Sequence, residues 1–309
     1  MHYDIIGDIH GRAVELESLL QLMGYTKRGG SYSYPNRQVI FLGDFIDRGK
    51  QSREVIRIAR SMVEAGHALA VMGNHEYNAI CYHTRHPETG EYLRPHTDKN
   101  ERQHKEFLAE FYRDSDGLED VVGWFRQLPL YFDLGVLRAI HACWHPQQLA
   151  VLEAAGSQNA RLNFEQFVAS AIKGSSLYEA VETLLKGVEV QLPQGINFKD
   201  KDGHSRNAVR TRWWDNEGGS YRDMTLVSSE ILGVISDIGF PEDKLVGYPV
   251  DGYPVFFGHY WLTGKPELFS ENVCCVDYSV GKPGGALCCY RWEGEPTLTA
   301  EHFVSVNRL

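Results

Sequence analysis

The chain has 309 residues, 43% of them hydrophobic and 23% charged, enough to bury a core without staples and too ordinary in composition for a disordered or fibrous protein. Lysine and arginine number 31 against 41 aspartates and glutamates, a net charge of −10, and no basic run breaks the mixture, which argues against a nucleic-acid duplex as partner. No apolar stretch approaches the roughly 18 residues of a membrane span and the N-terminus lacks the pattern of a leader, so the expectation is a cytoplasmic protein with no membrane partner.

In chain order, Tyr3 to Ile6 reads as a strand, Val14 to Met23 as an amphipathic helix, Gln38 to Leu42 as a strand, Arg53 to Ala65 as a helix and Ala68 to Met72 as a strand. Residues 83–120 are polar and form a first lobe, with a helix expected from Glu101 to Tyr112. Strands are expected again at Leu130 to Leu134 and Val136 to Ile140. A second, mostly helical lobe spans 147–235, with helices at Gln148 to Ala155, Phe164 to Ile172 and Leu177 to Lys186. Four β-rich stretches close the chain: Tyr253 to Phe257, Asn272 to Val276, Ala286 to Trp292 and His302 to Val306. This is an α/β layer pattern, and nothing in it forces more than one domain over 1–309.

The cysteines are Cys81, Cys143 and the adjacent pairs Cys274–Cys275 and Cys288–Cys289. Neighbours on a strand point to opposite faces, so neither pair converges on one zinc, and buried reduced thiols are expected.

The chemistry is concentrated where the first three strands end. GDIHG carries Asp8 and His10, GDFIDRG carries Asp44, Asp47 and Arg48, and GNHE carries Asn74, His75 and Glu76. Ordinary turn chemistry explains a glycine beside a polar residue, but not three successive strand ends bearing carboxylate, imidazole or amide ligands. His141 and His259 each follow a further apolar run. Oxygen and imidazole donors without thiolate suit manganese, iron or zinc, and a carboxylate shared by two cations suits a two-metal hydrolase.

In order and spacing, GDIHG, GDFIDRG, GNHE and the histidines of AIHACW and FFGHYW resemble the calcineurin-like metallophosphoesterases. Within that family they resemble the branch of serine/threonine phosphoprotein phosphatases and bacterial diadenosine tetraphosphatases. The resemblance implies a sandwich of two mixed β-sheets flanked by helices, with helical insertions and two divalent cations, manganese first and iron or zinc next. It implies Asp8, His10 and Asp44 as ligands of one cation, and Asp44, Asn74, His141 and His259 as ligands of the other. It further implies His75 as general acid, Asp47 as its orienting partner, and Arg48 and Asn74 as contacts to the substrate phosphate.

RTRWWDN, residues 210–216, loosely resembles a segment of the phosphoprotein phosphatases, which makes Arg212 and Arg222 candidates for a second phosphate-binding arginine. His141 is followed by Ala-Cys-Trp where relatives have two glycines, so the backbone beside the substrate is bulkier here. Tyr82, Arg85, Arg212, Trp213 and Trp214 are candidates to wall the site from the two lobes. The leading expectation is hydrolysis of a phosphomonoester by a bridging hydroxide, on a phosphorylated protein, peptide or nucleotide. The alternative is a dinucleoside tetraphosphate hydrolase, and the alternative of another class is an inactive metal-bound binding module.

Overall fold

The computed structural model describes residues 1–199, 205–226, 235 and 238–309. The chain opens with β1 (His2–Ile6), α1 (Ala13–Leu22), the short hairpin β2 (Thr26–Arg28) and β3 (Ser31–Ser33), then β4 (Arg37–Phe41), α2 (Ser52–Glu64) and β5 (Ala68–Ala70). Helix α3 (Asn74–His83) leads into the first lobe, which holds α4 (Asp98–Glu110) and the start of α5 (Ser115–Phe125). After β6 (Tyr131–Asp133) and β7 (Arg138–Ile140) come α6 (Pro146–Ala154), α7 (Phe164–Ser170) and α8 (Ser176–Lys186). Short strands β8 (Glu189–Gln191), β9 (Phe198–Lys199), β10 (Ser205–Arg206) and β11 (Ala208–Arg210) lead to α9 (Tyr221–Met224). The remaining strands are β12 (Val255–Phe257), β13 (Val273–Cys275), β14 (Asp277–Tyr278), β15 (Ala286–Trp292) and β16 (Phe303–Asn307).

Two mixed sheets form the centre. The first has the order β14-β15-β1-β4-β5, with β16 also on β15, and the second β13-β12-β7-β6. Within the first, β1, β4 and β5 run parallel, and within the second β7, β12 and β13 do. Parallel strands end on the same edge, so each sheet brings its loops together.

Alternation along the strands divides the core. Ile5, Ile40 and Leu42 face Ala139, Phe256 and Cys274 across the sandwich. Their neighbours Ile6, Val39 and Phe41 face Leu16, Leu20 and Val55 of α1 and α2. On the far side Val255, Phe257 and Cys275 are covered by Leu184 of α8 and by Trp213 and Trp214. The tryptophan rings stand 5.2 and 5.3 Å from that of Phe257. Trp213 and Trp214 are 1% and 6% exposed, so they pack the second lobe onto its sheet and do not wall the site. All six cysteines are free and buried, and Cys274 and Cys275 point into different cores.

The second lobe departs from the helical expectation after Lys186. Glu189, Val190 and Gln191 alternate outward, inward, outward, and Val190 meets Val209 across the antiparallel β8–β11 pair. With Leu192, Tyr221, Met224, Ile235 and Phe240 these valines make a small separate core. Residues 227–234 of that lobe lie outside the described residues. Two helices escaped the sequence reading. Helix α3 starts inside the GNHE motif, where the Glu76 carboxylate accepts the Gly73 N–H at 3.0 Å, and α5 is capped by Asp114, which accepts the Gly117 N–H at 3.1 Å.

The loops after β4 and β5 touch backbone to backbone. Gly43 has φ +88°, and a Cβ there would stand 2.4 Å from the Gly73 nitrogen. Gly43→Ala is therefore expected to lower stability by about 2 kcal/mol or more, read as a fall in the urea midpoint. A change below about 0.5 kcal/mol would contradict this close approach.

Candidate active site

Five strand ends converge. Sheet one supplies Asp8 and His10 after β1, Asp44, Asp47 and Arg48 after β4, and Asn74 and His75 at the start of α3; sheet two supplies His141 after β7 and His259 after β12. The loops are cross-braced: Ile9 and His10 donate their N–H groups to the Asp44 carbonyl at 3.0 and 2.8 Å, and Gly49 donates to the His10 carbonyl at 2.9 Å. The Glu76 carboxylate ties them further by accepting the N–H groups of Asp44 at 2.8 Å and Phe45 at 2.9 Å. Left-handed backbone is costly for residues with a Cβ, yet His10, Asp44, Asp47, Arg48 and His259 all adopt it, with φ between +49° and +70°. That strain sits in the loops that aim the polar groups.

The donor set fits divalent cations. Asp8, His10, Asp44, His141 and His259 are each at most 5% exposed. Ligand atoms of His10, Asp44 and His75 lie within 4.8 Å of one another, and so do those of Asp44, His141 and His259. Asp44 Oδ2 is 3.7 Å from His10 Nε2, and Asp44 Oδ1 is 3.5 Å from His141 Nε2. Donors at bond lengths of about 2.1 Å around one ion would stand roughly 3.0 to 3.4 Å apart, close to these separations. His10 Nδ1 is engaged by the Ile46 carbonyl at 3.0 Å and His141 Nδ1 by the Leu42 carbonyl at 2.7 Å. With Nδ1 so engaged, both rings turn Nε2 inward, the atom a cation would take, and His141 Nε2 stands 3.0 Å from Asn74 Oδ1. His10 Nε2 and both ring nitrogens of His259 are buried without a hydrogen-bond partner among the described residues.

The electrostatics agree. Burial, and then the nearby charges of Asp277 and Asp44, push the Asp8 carboxyl well up. Burial drives His10 down to about 3, and burial with Arg210 nearby drives His259 well down. Asp44 is the exception, held below the usual carboxylate range because the imidazoles of His141, His75 and His10 outweigh its burial. An Asp8 carboxyl that resists ionising beside imidazoles that resist protonation marks a cluster built around positive charge.

Next to this cluster, Asp47 bridges two imidazoles. Its Oδ2 is 2.5 Å from His75 Nδ1 and its Oδ1 is 2.9 Å from His104 Nδ1. Burial pushes His75 down, but the charges of Asp44 and Asp47 outweigh it and raise the imidazole overall. The Arg48 guanidinium lies 4.8 Å from the Trp261 ring, which also stacks on His10 at 5.0 Å. These groups open into a cavity of 340 Å³ whose wall includes Tyr82 and the cations Arg48, Arg94, Lys99, Lys186, Arg206 and Arg210. Its carboxylates are Asp47 and Glu189.

Arg212 and Arg222 are not among the residues lining this cavity, whereas Arg210, which donates to the His259 carbonyl at 3.0 Å, is. Arg85 is turned away, held by the Gly90 carbonyl at 2.7 Å and stacked on Tyr92. The sequence reading missed His104, Arg94, Lys186 and Arg210. Only His104 left a trace, as the polar member of the buried stripe His104, Phe107 and Phe111. A larger cavity of 840 Å³, bordered by Tyr178, Glu179 and Asp243, has none of the candidate ligands in its wall and shares Lys186 and Glu189 with the site cavity.

Fold and site together define a sandwich with a buried cation-binding cluster at its strand ends. The calcineurin-like phosphoesterase family matches residues 1–166, more than half of the chain, and the chain belongs to that family. Over 76 residues it is 47% identical to the asymmetrical bis(5'-nucleosyl)-tetraphosphatase PrpE of Halalkalibacterium halodurans, a stretch covering 24% of this chain and 31% of that protein. The chain thus spans under a third of the length of this and similar curated PrpE relatives. It is 27% identical to the symmetrical bis(5'-nucleosyl)-tetraphosphatase of Hamiltonella defensa, over 95% of this chain and 91% of that protein. In fold it is similar to a serine/threonine phosphatase from Saccharomyces cerevisiae, with TM-score 0.51, 14% identity, and 99% and 79% of the two chains covered.

Because both clusters contain Asp44, its replacement is the most informative. Elemental analysis of the purified protein is expected to find two transition-metal ions per chain, and Asp44→Asn is expected to lose both. Retention of full metal content in that variant would contradict a shared ligand.

Proposed function

We propose that the protein is a metal-dependent hydrolase that cleaves a phosphoanhydride bond of a dinucleoside polyphosphate. The observation that carries this reading is the cavity wall, which gathers six cations and two carboxylates on a chain of net charge −10, with Lys186 also paired to Glu182. Crowding like charges into one cavity is costly, and a polyanion offsets that cost better than a dianionic phosphomonoester does. One of the two carboxylates, Asp47, is already committed to two imidazoles. The relative matched along nearly its whole length, a bis(5'-nucleosyl)-tetraphosphatase, supports the same choice over the phosphoprotein reading.

Asp8, His10, Asp44, Asn74, His141 and His259 would hold the cations. When bound, divalent ions supply Lewis acidity and charge neutralisation at the phosphoryl oxygens and acidify water. The remaining work falls to the chain. Arg48, braced against Trp261, and Arg210, both in the cavity wall, pair with phosphate oxygens. His75 keeps its Nδ1–H on Asp47 and turns Nε2 toward the cavity, where it gives a proton to the departing oxygen.

The test is a panel of diadenosine tetraphosphate, a phosphoserine peptide and p-nitrophenyl phosphate, assayed with manganese after chelator stripping. The tetraphosphate is expected to lead in kcat/KM, and Arg210→Ala should lower that value about tenfold or more, the loss of one charged contact. Preference for the phosphopeptide would restore the phosphomonoester reading. Absence of turnover on all three by the metal-loaded protein would favour a binding module.

A further inference from the structure

We propose that His104, contributed by helix α4 of the first lobe, is a positioning residue that locks the Asp47 carboxylate and through it the orientation of His75. The inference rests on the reading of His75 as proton donor.

Asp47 is 3% exposed, and its two oxygens are used separately, Oδ2 by His75 at 2.5 Å and Oδ1 by His104 at 2.9 Å. The carboxylate torsion is broad and nearly two-fold, so a single donor leaves the group free to rock. Donors on opposite oxygens fix its plane. A carboxylate only accepts, so both imidazoles must present N–H at Nδ1, and the His75 tautomer with Nε2 toward the cavity is selected. Burial pushes the Asp47 carboxyl up, but the hydrogen bonds from His104 and His75 outweigh it and keep the group ionised.

His104 is itself well held. It is 5% exposed, stacks on Phe107 with centroids 4.7 Å apart and planes at 22°, and meets the Tyr82 ring edge-on at 5.3 Å. Its Nε2 is buried without a hydrogen-bond partner among the described residues. Asp47 is thus its polar partner, and the lone donor arrangement is hard to explain as packing. The same helix carries Lys99 and Gln103 into the cavity wall. The lobe that meets the substrate anion therefore also sets the proton donor.

Two variants separate positioning from packing. His104→Phe keeps an aromatic ring on Phe107 and removes the N–H, while His104→Asn removes the ring and keeps a donor near the Nδ1 position. Both are assayed with manganese on phenyl phosphate and p-nitrophenyl phosphate, with metal content and Tm measured alongside. His104→Phe is expected to lower kcat on phenyl phosphate roughly 10- to 100-fold, the usual cost of losing such a supporting hydrogen bond. The loss on p-nitrophenyl phosphate, whose leaving group needs little protonation, is expected to be at least about fivefold smaller, with KM and metal content within about twofold. His104→Asn is expected to recover most of the loss. The reverse order, with phenylalanine tolerated and asparagine losing both substrates together with Tm, overturns the proposal. His75→Ala serves as the reference. If its loss depends on the leaving group while that of His104→Phe does not, the positioning role alone falls. If its loss is equal on both esters, His75 is not the donor and both readings fall.

Discussion

Burying Asp44 is the constraint on which the rest of the structure depends. It is 1% exposed and stands within 4 Å of imidazole nitrogens from His10, His75 and His141, with Asp8 also near His10. Such a group is costly to desolvate, and the chain holds it there by devices that make sense together. Its N–H is taken by Glu76, its carbonyl by the amides after β1, and its backbone is forced left-handed. Gly43 and Gly73 are needed because the neighbouring loops pass too close for a side chain. Strain in the loops and desolvation in the cluster are the two costs that a bound cation pair would offset.

Charge is distributed with the same logic. The chain as a whole is acidic, while cations from α4, α8, β10, β11 and the loops after β4 and α3 are gathered at one cavity. No single stretch of sequence is basic, because the gathering is tertiary. At about 8 to 10 Å of screening length the distant acids have little influence on an anion inside the cavity. The local field is set by the six cations, by Asp47, Glu189 and the Glu182 carboxylate paired with Lys186, and by whatever charge the ligand cluster carries.

The strand-end motifs were legible because an apolar run followed by glycine and a polar group leaves a local signature, and β1, β4, β5, β7 and β12 all appear within a few residues of where periodicity places them. Periodicity gave only an α/β layer pattern; the two mixed sheets flanked by helices were what the family resemblance implied, and the structure has them. The part of the second lobe after Lys186 was misread since three-residue strands such as Glu189–Gln191 give alternation too little length to register. His104 left only an ambiguous trace, for a different reason. A histidine three residues before Phe107 on a buried stripe reads as core, and its partner Asp47 lies 57 residues away in sequence. Arg210 and Arg212 illustrate the same limit: both come from one short motif, and strand geometry beside β8 directs the first to the cavity while the second is anchored through its N–H to the Met224 carbonyl at 2.7 Å.

The account turns on whether Asp44 lies between two cations in a cavity that receives polyphosphate. The most direct measurement is anomalous diffraction from crystals soaked in manganese together with a non-hydrolysable diadenosine tetraphosphate analogue. Two peaks roughly 3.5 Å apart on either side of the Asp44 carboxylate, with the phosphate chain running along Arg48 and Arg210, are the predicted result. A single peak, or two peaks away from Asp44 with the analogue bound elsewhere, would contradict it.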